Sequence, residues 1–526
     1  MSLPTKPDRA ARRLAKLNDP ERLSAWTTFA WTTTGFSGAS NIIVLSFLTI
    51  FATDALGLPP AIVGTLALIT KLVEAVTVVI AGWLVDRSPV TRWGKARPYE
   101  LAILGVWAST AALFATPDWD QTGKIIWVFF WMLMVNAVFT TLLGANDVLY
   151  LARTFSGRRL IAKVATRTGL FTVLGAVGTS VIFPVLLGTV GQSASGYAQV
   201  VLWVAIPMAI IGLGRFLFCP EKYDTEAPSE NKLTFAEIRE VLAGNPYIWT
   251  IATMAVVAAF SGGSGIAAYY FTYIVGDIAL MGVMAIIPVL ILPLMLIFPR
   301  LMAKMPVSRI ISLGGLCGII GGVILFFALT VGNGSLLLIG ISSMIGGFGM
   351  LPITFLTQLL IIDNASYNEW LGKRRLESSM GAINAFAGRV GGGLGAAATG
   401  WILGLAGYDG TLATQPAPAI TAIVLIASAL PAALWALIIV LMWRYRKFEE
   451  LLPQIQQDLA EKHAAQGLNA PDDLSEVDLA EDPISVPVPV STASGVVATP
   501  LVAPTDTGDV LDELDADTDR DAGPRE

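Results

Sequence analysis

The sequence predicts an all-α polytopic membrane protein: twelve transmembrane helices in two six-helix bundles, followed by a disordered C-terminal tail. Three observations carry this expectation. Of 526 residues, 54% are hydrophobic and only 14% charged, against about 25% charged in ordinary soluble proteins. Twelve apolar windows recur along the chain, each near the roughly 20 residues that a helix needs to cross a bilayer. The longest internal hydrophilic break falls after the sixth window, as a duplicated membrane fold requires.

Residues 1–25 form a basic N-terminus. The first window, 26–53, is too long for a signal-peptide core and has no convincing cleavage site, so it reads as a retained helix. Window two, 61–85, carries Lys71 and Glu74; the short window three covers 101–116. Window four, 125–151, begins behind Lys124 and ends on Asp147, and 169–190 opens behind Arg167. Window six, 198–218, closes an N-terminal bundle over 26–218, and 219–246 is the linker. The second bundle, 247–443, takes its windows from 247–276, 278–298, 310–331, 336–362, the Gly-rich 378–405 and 419–443. An acidic tail, 444–526, follows; its Pro/Asp/Ala/Val-rich composition buries too little apolar surface to fold.

The charge is unevenly spread. Residues 453–526 hold 17 acids against Lys462, Arg520 and Arg525, a net −14, which leaves residues 1–452 at +8 within the overall −6. With the N-terminus inside, 31 of the 34 Lys and Arg fall on the cytoplasmic side; only Lys124 lies outside, and Lys71 and Arg389 lie within windows. The positive-inside rule therefore predicts both termini in the cytoplasm. Faint symmetry at an offset near 223 residues relates Asp54 to Asp277 and, nearly, Arg167 to Arg389.

Several classes of chemistry are excluded. Cys219 and Cys317 are too far apart for a disulfide framework, and the only histidine, His463, lies in the tail, so no metal cluster or histidine relay can be built in the body. Gly94-Lys95 and Gly372-Lys373 lack the upstream glycine of a phosphate loop. No cofactor, metal, enzyme activity or nucleic-acid partner is expected.

A charge at mid-bilayer costs about 2.5–3.5 kcal/mol on insertion scales, so such residues are functional candidates. Lys71 and Glu74 share one helical face by their i, i+3 spacing. One reading makes them a structural ion pair; the other makes Glu74 a group that gains and loses a proton or cation, tuned by Lys71. Arg389 lies among glycines that allow close helix contact and is a candidate counter-ion for a carboxylate of the other half. Asp147 and Arg167 are either interfacial charges or, facing one cavity, the acceptor and donor fork suited to gripping vicinal hydroxyls. Two cytoplasmic segments mix acid with base: 82–98, with Asp86, Arg92, Lys95 and Arg97, and 363–377, with Asp363, Tyr367, Glu369 and Arg375. Their acids suit ion pairs that lock the cytoplasmic face in one of two states.

Four stretches carry a resemblance: Thr53-Asp-Ala-Leu-Gly-Leu58, Arg92-Trp-Gly-Lys-Ala-Arg-Pro98, Ala268-Tyr-Tyr-Phe-Thr-Tyr-Ile-Val-Gly-Asp277 and the 363–377 segment. Over about residues 30–450 the chain resembles the glycoside-pentoside-hexuronide:cation symporters, a branch of the major facilitator superfamily. The resemblance implies alternating access, with a sugar site between two bundles. It places Asp147 and Arg167 on the family's sugar-binding carboxylate and arginine. It places Glu74 on the first of two cation-binding carboxylates and Arg389 on a lysine of helix eleven.

The departures shape the functional reading. Val78-Val79 stands where the family has a second carboxylate followed by Pro, and Gly144 where a Thr helps bind sodium. A hard cation needs several oxygens, whereas a lone Glu74 can still carry a proton, so proton coupling is favoured over sodium. The helix-one sugar aspartate is replaced by Gly38-Ala-Ser-Asn41, which leaves Ser40 or Asn41 as substitutes. The leading expectation is cation-coupled symport of a sugar or glycoside by a monomer in the inner (plasma) membrane, in contact with membrane lipid. The alternatives are a carrier or facilitator of a lysolipid or other amphiphile on the same fold, and a non-transporting membrane sensor.

Overall fold

The computed structural model describes residues 25–155, 158–222, 245–287, 301, 304–373 and 377–465. The regular elements among them are helices, joined by one isolated bridge between Thr91 and Gly94. A bilayer core offers no water to free backbone groups, so a chain this apolar satisfies its N–H and C=O groups within helices.

The N-terminal half comprises α1 (Ala25–Ser46), α2 (Leu48–Ile50), α3 (Pro60–Arg87), α4 (Ala102–Phe114), α5 (Gln121–Leu133), α6 (Thr141–Thr154), α7 (Arg158–Val190), α8 (Ala194–Gly212) and α9 (Gly214–Phe218). The C-terminal half comprises α10 (Pro246–Gly263), α11 (Ile266–Tyr270), α12 (Ala279–Met284), α13 (Val307–Thr330), α14 (Leu336–Trp370), α15 (Glu377–Leu405), α16 (Ala417–Ala427) and α17 (Ala429–Glu449), with α18 (Leu452–Ala465) beyond. Caps set several starts. Asp120 accepts from Gly123 N ahead of α5, Ser193 from Gly196 N ahead of α8, and Asn245 from Tyr247 N ahead of α10. Both halves leave their first long helix through a π-helical turn, Phe51–Ala55 and Phe271–Val275.

Nine helical runs among the described residues are long and apolar enough to cross a membrane. The windows expected to be weakest differ as their composition suggests: α4 has 13 residues behind the 3-10 turn Arg97–Leu101, and Gly-rich α15 has 29. Of the eighth window, residues 288–298 lie outside the described residues.

The apolar core is divided unequally. One cluster takes residues from both halves, among them Phe47, Phe51, Trp107 and Phe183 with Tyr269, Phe271, Leu403 and Ile423. This cluster lies toward the face where α3 begins and α15 ends, here called the far face. Toward the opposite, terminal face the core separates into a C-half cluster around Ile251, Leu360 and Tyr445, to which α7 adds Val173, and an N-half cluster around Trp31 and Tyr150. The halves are thus fused by apolar packing near the far face.

The expectation of a disordered tail from 444 is corrected over its first part. α17 continues to Glu449, and α18 is helical because Ile455 and Leu459, one turn apart, bury against the C-half cluster. Trp370 Nε1 also donates to Asp458 Oδ2 at 2.7 Å. Residues 466–526 lie outside the described residues.

Candidate functional site: buried charge between the two halves

Close approach of α3 and α15 builds the central site. Gly393 sits where a side-chain Cβ would come within 2.9 Å of Lys71 Cβ, so a larger residue would push the helices apart. Through this contact Arg389 on α15 reaches Glu74 on α3, Nε to Oε1, at 3.1 Å. Lys71 Nζ binds the other oxygen, Oε2, at 2.7 Å, and lies 3.5 Å from Asn136 Oδ1 in the π-helical stretch Met134–Thr140. Glu74 is 4% exposed, so one carboxylate is buried between two cations from opposite halves. The positions around it where a metal cation would bind are taken by an ammonium and a guanidinium.

Asp147 lies elsewhere. It accepts from Arg215 Nη1 of α9 at 2.5 Å, and Arg215 also lies 3.5 Å from Glu100 Oε1 at the foot of α4. The guanidinium stacks on Trp31, 4.0 Å from the ring centroid. Arg167 is exposed on α7. The expected Asp147–Arg167 grip is therefore not assembled in this conformation, because a buried guanidinium has taken the carboxylate. Asn41 is likewise turned inward: it is 2% exposed and its Nδ2 donates to Thr110 Oγ1 at 2.8 Å, joining α1 to α4. Ser40 is engaged by Phe36 O and Gly175 O.

At the terminal face the 82–98 segment is held by contacts that the sequence did not foresee. Arg92 is exposed over Trp93, and Arg97 Nε donates to Phe216 O at 2.7 Å. The acid is Glu221, which sequence reasoning passed over as linker. Its carboxylate accepts the backbone N–H groups of Lys95 (3.1 Å), Ala96 (2.7 Å) and Arg97 (2.8 Å), and Arg153 Nε at 2.7 Å. Gly94, at φ +107°, turns the chain so that these donors converge. Burial pushes the Glu221 carboxyl up, but the N–H of Arg97, the Arg153 side chain and the two neighbouring N–H groups outweigh it and hold the group below its usual range. Just ahead, burial pushes the Cys219 thiol up to about 11, which fits a packing residue.

In the second polar segment Asp363 is half-buried on α14, Tyr367 packs on Tyr247 and Phe448, and Glu369 is partnered. Arg375 and the Asp86 side chain lie outside the described residues. The polar contacts of this region that the sequence left unseen are Asn245 Nδ2 to Asn368 Oδ1 at 3.0 Å and Asn364 Nδ2 to Tyr445 OH at 2.9 Å.

Near the far face a second inter-half contact surrounds Asp54. Its Oδ1 accepts from Tyr408 OH at 2.5 Å and Thr53 Oγ1 at 2.7 Å, and its Oδ2 from Tyr273 OH at 2.8 Å. Asp277, its symmetry partner, instead caps the turn before α12 through Ala279 N at 2.8 Å. Tyr273 stood within the quoted 268–277 stretch, but Tyr408 had no sequence signal.

Described residues that fold into long apolar helices in two halves, with paired charge buried where the halves meet, have the architecture of a polytopic membrane transporter. The model of the MFS/sugar transport protein family matches residues 34–447, and the chain belongs to that family. Among curated relatives it is 26% identical to the isoprimeverose transporter of Lactiplantibacillus pentosus, over 82% of this chain and 90% of the relative. It is also 26% identical to the putative glycoside/cation symporter YagG of Escherichia coli (strain K12), over 84% and 95% respectively. Its fold resembles that of a bacterial homolog of the human lysosomal transporter Spinster, solved inward-facing and unoccupied, with a TM-score of 0.59 at 13% identity, covering 83% and 98% of the two chains. These relatives and fold neighbours are transporters, not enzymes.

Proposed function

We propose that this chain couples the movement of a sugar or glycoside to that of a proton, by alternating access between two six-helix bundles in the inner membrane. Both termini are cytoplasmic in this reading, so the far face is the outer one and the conformation is closed outward. The protein works as a monomer of twelve membrane helices.

The observation that carries the reading is Glu74, held between Lys71 and Arg389. With both cations in place the carboxylate cross-links the halves. Protonation from outside removes the negative charge that Arg389 needs, the link opens, and the outer face can part. Release of the proton inward restores it. Proton coupling is favoured over sodium because a hard cation needs several oxygens, and Val78-Val79 and Gly144 leave Glu74 without the neighbours that would supply them. Asp147 and Arg167 remain the proposed sugar ligands for a conformation in which Arg215 has let Asp147 go. The substrates for which the relatives are named, a glycoside and isoprimeverose among them, support a sugar cargo.

The deciding experiment records proton movement in vesicles holding the purified protein, across a panel of glycosides, pentosides and hexuronides, with and without sodium. A substrate-induced proton influx indifferent to sodium is expected. A sodium-dependent sugar flux without proton movement would sink the coupling assignment, and silence across the panel would sink the sugar cargo.

A further inference from the structure

Glu100 and Asp147 are 0% and 8% exposed, and Arg215 beside them is 3% exposed. If both carboxylates were ionised, this buried cluster would carry two negative charges against one positive, and an uncompensated buried charge is strongly unfavourable. Among the described residues, the charged and titratable groups that act on Glu100 are Asp147 of α6 and Arg215 of α9, with Tyr150 and Cys219 close enough to feel its carboxylate and Arg97 acting on those two. α1 contributes the neutral Thr34. Arg97 is directed to Phe216 O and Leu217 O, so Arg215 is the one cation bound to either acid among the described residues. It favours Asp147, at 2.5 Å against 3.5 Å for Glu100.

Two hydrogen-bond details point to where the missing positive charge lies. Thr34 Oγ1 is 3.1 Å from Glu100 Oε2 and also 3.1 Å from Gly212 O. A hydroxyl has one hydrogen to donate. Either the hydroxyl shares its hydrogen between the two acceptors, or a protonated Glu100 donates to Thr34 Oγ1 while Thr34 donates to the carbonyl, and only the second gives each contact a hydrogen of its own. Asn146, 0% exposed, donates its Nδ2 to Glu100 Oε1 at 3.1 Å, yet its Oδ1 is buried with no donor. Two buried carboxylates facing one guanidinium, beside a buried acceptor short of a donor, form a cluster that a proton on one of the acids would balance.

We propose that the Glu100–Asp147 pair binds one proton in this conformation, carried by Glu100, and so forms a second protonation site within the N-terminal half, separate from Glu74. The site stands or falls on this cluster and does not depend on the sugar reading. Arg215 sets its occupancy: a conformation that moves the guanidinium from Asp147 toward Glu100 exchanges the proton for an ion pair, and one that holds it on Asp147 keeps the proton.

The test is infrared difference spectroscopy of the purified full-length protein across a pH titration, reading the carbonyl stretch of protonated carboxyl groups. At neutral pH the wild type should show such a band, retained in Glu74→Gln and lost in Glu100→Gln. Asp147→Asn serves where Glu100→Gln does not fold: it balances Arg215 against one acid, Glu100 ionises, and the same band should vanish. A band that survives both substitutions, or a wild type without one, overturns the proposal. A sodium-dependent change in the carboxylate bands in that case would make the occupant a metal cation. Melting temperature gives a second readout. Glu100→Gln copies a neutral carboxyl, so it should match the wild type in acid, below the unfolded carboxylate range, with the wild type falling behind it as the pH rises from there until the folded state gives up the proton. A variant that loses ground at every pH would show an ionised Glu100.

Discussion

Arg389 and Glu74, 315 positions apart in sequence, meet at 3.1 Å across the boundary between the two halves, on the carboxylate oxygen that Lys71 does not hold. This is a charge-assisted bond, a kind worth about 1.5–3 kcal/mol. Substituting Arg389→Gln should therefore shift the equilibrium toward a parted far face by about 10-fold to 100-fold. The check is the labelling rate of a cysteine introduced near Asp54, measured with and without the substitution. Equal rates would mean that apolar packing alone holds the halves together.

Glu74→Gln tests the same carboxylate from its other side. The variant mimics the protonated form, so it should still exchange substrate across the membrane while failing to accumulate it uphill. Uphill uptake at the wild-type level would remove Glu74 from the coupling step.

How far the sequence foresaw this site depends on the kind of contact. Lys71 and Glu74 are three residues apart on one helix, a relation that helical periodicity makes visible. Arg389 was legible as a charge among glycines, because a charge in an apolar, tightly packing helix needs a partner. What periodicity cannot supply is which partner wins. Asp147 was paired in the sequence reading with Arg167 alone, the guanidinium that the family resemblance named, and the buried Arg215 at the end of the sixth window holds it instead. Glu221 was hidden for another reason: its ligands are mainly backbone N–H groups of the 94–97 turn, which have no side-chain signature. Tyr408 reaches Asp54 from the turn just beyond α15, where Gly407 takes φ +74°, a tertiary fact with no local pattern.

The tyrosines around Asp54 should act as a latch. Tyr273→Phe and Tyr408→Phe each remove one hydroxyl donor to a carboxylate, at about 1.5–3 kcal/mol apiece. Because both donors serve one group, their effects should not add: the double variant should cost less than the sum. Tryptic or thiol accessibility of the far face in the two single variants and the double variant measures this. Strict additivity would show that the two hydroxyls act independently.

Glu221 gives the terminal face a defined pH response. Its folded-state carboxyl is held below the unfolded value, so the folded protein binds fewer protons there than the unfolded chain. The resulting stability is fully present above the unfolded carboxylate range and is lost as the pH falls through the folded value. Melting curves of wild type and Glu221→Gln should differ at neutral pH and converge in acid. A gap that stays constant with pH would mean that the substitution acts through packing and not through charge.

The junction between body and tail yields a prediction that separates its two parts. α18 buries Ile455 and Leu459 against the C-half cluster and accepts a hydrogen bond from Trp370 at Asp458, next to the 363–377 segment expected to move during gating. Burying an aliphatic side chain of this size contributes about 1.5–3 kcal/mol. A chain ending at residue 451 should therefore melt at a lower temperature than the full-length protein and should leave Tyr367 and Phe448 open to solvent. A chain ending at residue 465 keeps every one of these contacts and should match the full-length protein in melting temperature and in substrate flux. Comparing all three in one detergent, each with and without Trp370→Phe so that this residue's share of the fluorescence of the 14 tryptophans is read by difference, distinguishes a docked helix from a passive linker. Equal melting of the two truncated chains would show that α18 adds nothing to the fold, whereas a loss already present at 465 would assign a role to the acidic residues beyond it.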